Sequence, residues 1–277
     1  MSHLIKKGHL SDDSTWTVLE GGRTNRVWRL HSAGLSCVLK LYRNNRDNPL
    51  FPNNPNHEIL ALNHLKGSGL APELIGAGDF KGGTWILYTY KDGKCWADDA
   101  VRAAELLGQL HKLPVPNWLP FKSSGSESIA YETMAILSKC EPRLRVVLSA
   151  LKPSEIVPAT ERQCILHGDP VPGNIICDQH QMVLIDWQCP TRGDPCEDLG
   201  IFLSPAMQSL YRGSALTPAE EQAFLSSYPD TEIVERAIKL RPWFTWRMAA
   251  YCLWQTESGN TDYKVGMELE LAALRKR

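Results

Sequence analysis

Apolar residues recur along the chain at two spacings, and the change from one to the other divides it. Between Thr15 and Tyr42, short apolar runs alternate with turn-forming clusters: Thr15–Leu19, then Gly21-Gly22-Arg23-Thr24-Asn25, then Arg26–His31, Ser32-Ala33-Gly34 and Leu35–Tyr42. Runs of this length bounded by Gly, Ser and Asn predict three strands of a β-meander. Asn54-Pro55 then sets a capping side chain before a proline at the first helical position. Glu58, Ile59, Leu62 and Leu65 follow at helical spacing, and Gly67 and Gly69 supply the stop. Trp85–Tyr90 predicts a fourth strand, Asp92-Gly93 a turn, and Ala97–Lys112 an amphipathic helix with Val101, Ala104, Leu107 and Leu110 at three- and four-residue steps.

From about Lys94 onward the helical period dominates. It is interrupted by Gln163–Asp186, where Asn174–Cys177 and Met182–Ile185 read as two short β runs among turns. Thr217-Pro218-Ala219-Glu220 has the form of a capping box, so a helix is predicted to run from it to about Ser227. The outline is α+β: a small β-rich N-terminal lobe over 1–93 and a large, mainly helical C-terminal lobe over 94–277.

Composition narrows the class. With 277 residues, 43% of them hydrophobic, the chain can bury a core without a disulfide or a structural metal. Thirty basic against thirty-one acidic residues leave a formal charge of −1, which provides neither the basic excess that nucleic acid demands nor a polybasic membrane footprint. The eight cysteines are scattered, with no CxxC pair, and suit small hydrophobes in a reducing compartment. No apolar leader and no 18-residue uncharged apolar window occurs, so a cytoplasmic protein is expected.

The densest polar cluster in an apolar setting is Ile165-Leu166-His167-Gly168-Asp169-Pro170-Val171-Pro172-Gly173-Asn174-Ile175-Ile176, followed by Val183-Leu184-Ile185-Asp186-Trp187. Carboxylates at strand ends are expensive to bury without a cation or hydrogen-bond donors, and an Asn oxygen beside a carboxylate is a hard-oxygen set that suits Mg²⁺. Asp169, five residues before Asn174, is placed to sit near such a metal without ligating it, free to accept a proton from a hydroxyl.

His-Gly-Asp-x4-Asn, followed twelve residues later by Asp186-Trp187 and then by Gly193-Asp194-Pro195-x-x-Asp198-Leu199, resembles the aminoglycoside phosphotransferase and choline kinase family. That resemblance implies a protein-kinase-like two-lobed fold that binds ATP and Mg²⁺. It makes Asp169 the catalytic base and Asn174 and Asp186 the ligands of Mg²⁺ on the ATP phosphates. His167, Asp194 and Asp198 are read as residues that brace the loop.

Cys37-Val38-Leu39-Lys40 resembles the kinase strand whose lysine meets the α/β-phosphates; alternation puts Val38 and Lys40 on one face, an apolar wall for adenine and a charge for phosphate. Glu58, on the inward stripe of the next helix, is the candidate partner of Lys40. Gly21-Gly22-Arg23-Thr24-Asn25 is similar to the nucleotide-covering stretch of choline and thiamine kinases, with glycines for close approach and Thr24 and Asn25 as donors. Tyr88-Thr89-Tyr90 resembles the linker where adenine meets backbone groups.

The acceptor is expected to be a small-molecule alcohol. Trp243, Trp246 and Trp254 share a helical face and resemble the tryptophan-rich end of choline kinases, whose rings hold a quaternary ammonium. Such a stripe is equally the mark of a packed core. From Gly200 to Asp262, seven acidic residues against five basic ones make no strong field for a polycation. Choline kinases tend to carry Asn where this chain has Gly168, so choline, ethanolamine, thiamine and an unrelated alcohol all stand. An aminoglycoside- or sugar-type kinase, or a catalytically silent nucleotide-binding member of the fold, is the alternative.

Overall fold

A computed structural model describes residues 4–5, 8–19, 24–32, 34–42 and 48–275. In chain order the elements are β1 (Thr15–Val18), β2 (Arg26–Ser32), β3 (Leu35–Tyr42), α1 (Pro55–His64), β4 (Leu74–Phe80), β5 (Gly83–Thr89), β6 (Lys94–Cys95), α2 (Ala100–His111), α3 (Ser126–Leu137), α4 (Pro142–Ser149), β7 (Cys164–Leu166), β8 (Ile175–Cys177), β9 (Met182–Leu184), β10 (Thr191–Gly193), α5 (Cys196–Phe202), α6 (Pro205–Arg212), α7 (Pro218–Ser227), α8 (Thr231–Glu257) and α9 (Tyr263–Arg275). They fall into two compact units. One comprises Met1–Asn48, Pro52–Lys94 and Ile176–Cys189; the other comprises Pro49–Phe51, Cys95–Ile175 and Pro190–Arg277.

The first unit is built on an antiparallel sheet in the order β1-β2-β3-β5-β4. Strand alternation sorts its two faces. Leu30, Cys37, Leu39, Trp85 and Leu87 point one way and join Leu4 and Leu10 in a buried cluster. Val38, Lys40, Tyr42, Ile86 and Tyr88 occupy the alternate positions, with Val38 opposite Tyr88 and Lys40 opposite Ile86. Helix α1 starts where Asn54 accepts hydrogen bonds from the N–H groups of Asn56 and His57, with Pro55 at the first helical position, and it buries Glu58, Ala61 and Leu62. Strand β4 lies outside the predicted elements.

In the second unit α8 runs for 27 residues and accommodates Pro242 in its interior. It lies against α3, α5 and α9, and α9 also meets α6. Helix α7 opens with the capping box of Thr217 and Glu220. Helix α2 begins at Ala100 behind the Asp99 cap, three residues later than its sequence pattern suggests. Ala104, Leu107 and Leu110 are fully buried, but Val101 is exposed. The short antiparallel pair of β7 and β10, with Leu166 opposite Thr191, holds the base of the loop that carries Asp169.

No helix among the described residues is long and apolar enough to cross a membrane. None of the eight cysteines forms a disulfide.

Candidate active site

In the first unit, one face of the sheet carries a charged cluster in an almost dry setting. Lys40 on β3 is 2% exposed and Glu58 on α1 is 1% exposed, and Lys40 Nζ stands 2.7 Å from Glu58 Oε2. Lys40 also donates to the Asp186 carboxylate, just beyond β9. Burial alone disfavours an ammonium, but the carboxylates of Asp186 and Glu58 outweigh it and hold Lys40 above the ordinary lysine range. Burial pushes the Glu58 carboxyl up, against the pull of Lys40. The Tyr42 hydroxyl donates to Glu58 as well. That contact had a legible signal, since alternation along β3 places Val38, Lys40 and Tyr42 on one face, yet pattern alone does not say what Tyr42 touches.

Asp186 adopts φ = 65°, a left-handed conformation that costs a non-glycine residue about 1–2 kcal/mol. About a third of its side chain is exposed, although its carboxylate meets the buried Lys40. Val38 is buried on the Lys40 face. Tyr88 is buried too, and burial raises its phenol well above the usual range. Tyr90 N donates to Ser36 O at 3.0 Å, while the Arg29 guanidinium lies 3.7 Å from the centre of the Tyr90 ring.

Gly21 and Gly22 lie outside the described residues. Thr24 is exposed. Asn25 exchanges side-chain hydrogen bonds with Asn53 at 2.9 and 3.0 Å and donates to Gln188 at 3.3 Å, which ties the end of that stretch to the segment following Asp186.

In the second unit, the loop after β7 is built almost wholly from hydrogen bonds. Gly168 takes φ = 84°, and the chain then turns through Val171 N–H to Asp169 O at 2.9 Å and Asn174 N–H to Val171 O at 2.8 Å. The Asn174 side chain donates to both the backbone oxygen of Asp169, at 2.9 Å, and its carboxylate, at 3.2 Å. The amide nitrogen is thus committed to Asp169. Asp169 is 8% exposed. Its N–H donates to His167 Nδ1 at 3.3 Å, so His167 braces the loop.

Asp194 and Asp198 also act as braces. Asp194 accepts Cys196 N–H at 3.0 Å and pairs with Arg236 Nε at 2.7 Å. The wholly buried Asp198 receives the N–H groups of His167 and Gly168 and meets His111 Nε2 at 3.1 Å. His111 in turn contacts the Tyr228 hydroxyl at 2.8 Å. Nothing in local sequence pairs His111 with a residue 87 positions away.

The tryptophan stripe is mostly packed. Trp243 and Trp246 are 3% and 0% exposed, and their indole N–H groups donate to the backbone oxygens of Glu155 at 2.9 Å and Leu148 at 2.6 Å. These two faces are turned away from solvent, where a cage would need them open. Trp254 is half-buried beside Tyr251, ring centres 5.8 Å apart.

Among the described residues, no group of three or more His, Cys, Asp or Glu side chains is placed to hold a metal.

Residues 15–234 match the model of a phosphotransferase enzyme family. No curated protein matches the chain. Among solved structures, a choline/ethanolamine kinase family protein from Mesorhizobium loti is similar with a TM-score of 0.66 at 16% identity, covering 100% of this chain and 94% of that one. A thermostable mutant of an aminoglycoside phosphotransferase, in ternary complex with AMP-PNP and hygromycin B, reaches 0.67 at 16% identity over 99% and 97% of the two chains. An aminoglycoside-3'-phosphotransferase of type VIII reaches 0.58 at 19% identity over 88% and 98%. At such identities the likeness is one of fold: the α+β, protein-kinase-like architecture.

Proposed function

We propose, because the chain belongs to the phosphotransferase enzyme family, that it transfers the γ-phosphoryl group of ATP to a hydroxyl of a small molecule, with Mg²⁺ as cofactor. The observation that carries this reading is the double hold of Asn174 on Asp169, at 2.9 and 3.2 Å, which fixes a carboxylate in the loop where a base is required. Asp169 takes the proton of the acceptor hydroxyl as that oxygen bonds to the γ-phosphorus. The bond from phosphorus to the bridging oxygen breaks, and ADP leaves.

The remaining residues position and neutralise. Asn174 and Asp186 would hold the metal, which when bound supplies charge neutralisation on the phosphates. Lys40, oriented by Glu58, binds phosphate oxygens as a point charge. Val38 and the backbone of Tyr88 and Tyr90 receive the adenine, and Gly21, Gly22, Thr24 and Asn25 cover the phosphates. In this reading 1–93 is the nucleotide-binding lobe and 94–277 the catalytic and substrate-binding lobe.

For the acceptor we favour a small cationic alcohol of the choline, ethanolamine or thiamine type. The support is narrower than the whole aromatic stripe: the half-buried Trp254 keeps ring surface, whereas Trp243, Trp246 and Tyr251 serve the core. Similarity to solved folds does not choose, since 0.67 and 0.66 separate an aminoglycoside enzyme from a choline/ethanolamine kinase family protein. The test is ADP release from MgATP in the presence of choline, ethanolamine, thiamine, an aminoglycoside or a neutral sugar. Turnover with a cationic alcohol is expected. Turnover only with an aminoglycoside or sugar would reassign the acceptor, and ATP binding without turnover on any alcohol would make this a silent member of the family.

A further inference from the structure

Glu58 receives two hydrogen bonds on one oxygen. Lys40 Nζ reaches Glu58 Oε2 at 2.7 Å, and the Tyr42 hydroxyl donates to that same atom. Tyr42 follows Lys40 by two residues on β3, is 2% exposed, and has its ring centre 4.7 Å from the Lys40 ammonium. It therefore touches both members of the ion pair. Burial, with the Glu58 carboxylate next to it, keeps the phenol protonated and thus a donor.

The Lys40 ammonium is shared, because it also serves Asp186. A lysine that turns its charge toward phosphate oxygens gives less of it to its glutamate, and a buried carboxylate that loses its donors is costly to keep ionised. Among the described residues, the Tyr42 hydroxyl has no second hydrogen-bond partner. We propose that Tyr42 is a positioning residue of the nucleotide site: its hydroxyl fixes the Glu58 carboxylate, and through Glu58 it sets where the Lys40 ammonium stands. This rests on the reading of Lys40 as the phosphate-binding lysine.

The experiment measures MgATP affinity by calorimetry, the kinetic constants for ATP and acceptor, and the melting midpoint, using the full chain as wild type, Tyr42→Phe, Glu58→Gln and the double variant. Tyr42→Phe keeps the ring and removes only the hydroxyl. It is expected to weaken MgATP binding about three- to tenfold and to raise the KM for ATP in step, with the acceptor KM within about twofold. In the Glu58→Gln background the same change is expected to add little, because its route of action is already gone.

A Tyr42→Phe affinity within about 1.5-fold of wild type would overturn the proposal. So would an equal loss in both backgrounds, or a lowered melting midpoint with nucleotide binding intact, which marks a packing role. Failure of the wild type itself to bind MgATP is a different result: it removes the phosphotransferase reading, and the role of Tyr42 with it.

Discussion

Asp198 accepts the backbone N–H of Gly168 at 2.9 Å, and through that bond the first turn of α5 holds the loop that carries Asp169. The same carboxylate takes the N–H of His167 at 2.8 Å and meets His111 at 3.1 Å. Three partners around one fully buried carboxylate are what make its burial tolerable. Asp198→Asn keeps the shape but turns an amide NH₂ toward groups that need an acceptor. It is expected to cost about 1–3 kcal/mol of stability and to lower kcat, because Asp169 is the residue next to Gly168. Denaturant unfolding run beside steady-state kinetics checks this, and unchanged values for both would detach Asp198 from the loop.

Asp169→Asn tests the base itself. The substitution leaves Lys40, Glu58 and Asp186 untouched and preserves a side chain that can still meet the Asn174 amide. MgATP affinity should therefore stay near wild type while turnover falls by about two to four orders of magnitude. Turnover within about threefold of wild type would remove Asp169 from the proton-accepting role.

The tryptophans separate two kinds of role within one stripe. Trp246 is completely enclosed and its N–H is satisfied by Leu148, so Trp246→Ala should destabilise the fold by about 3–5 kcal/mol, and the lost midpoint should be seen before any selective kinetic change. Trp254, half-buried, should cost little stability on truncation and should raise the acceptor KM while sparing the KM for ATP. Thermal melts and kinetics on both variants decide; a kinetically silent Trp254→Ala withdraws the aromatic argument for a cationic acceptor.

Much of the fold was legible because the local signals were redundant. The run Leu35–Tyr42 coincides with β3, and Asn54-Pro55 and Thr217-Glu220 cap the helices that their chemistry announces. Strand β4, Leu-Ile-Gly-Ala-Gly-Asp-Phe, lies outside the predicted elements, and Gly76 and Gly78 interrupt its apolar run. Their reason is tertiary: a Cβ on Gly76 would meet the His9 ring at 2.9 Å, and one on Gly78 would meet the Trp85 ring at 3.2 Å. Periodicity likewise showed that Trp243 and Trp246 share a face, but it cannot tell a packed face from an open one. Which carboxylate braces and which one reacts also depends on partners far along the chain, such as Arg236 for Asp194 and His111 for Asp198.

Glu270 on α9 provides a stability prediction independent of the chemistry. It is wholly buried; Oε1 accepts the Ser204 hydroxyl and the Ala206 N–H, the latter at 3.2 Å, at the start of α6, while Oε2 has no hydrogen-bond partner among the described residues. Glu270 lines a small cavity together with Gly200, Leu203, Arg241, Phe244 and Thr245. Burial raises the carboxyl to about 7, against the Ser204 and Ala206 hydrogen bonds and the Arg241 charge, from an ordinary 4.5. Between those values the folded chain retains a proton that the unfolded chain has released, so the contribution is fully present below about 4.5 and is lost as pH rises through about 7. Integrated over that window it is on the order of 3 kcal/mol. Glu270→Gln keeps an acceptor for Ser204 and Ala206 but cannot ionise. The difference in melting midpoint between variant and wild type should therefore move in favour of the variant by several degrees from pH 5 to pH 8. Parallel pH profiles for the two proteins would show that Glu270 keeps its charge in the fold, with a water or ion supplying the partner that Oε2 lacks.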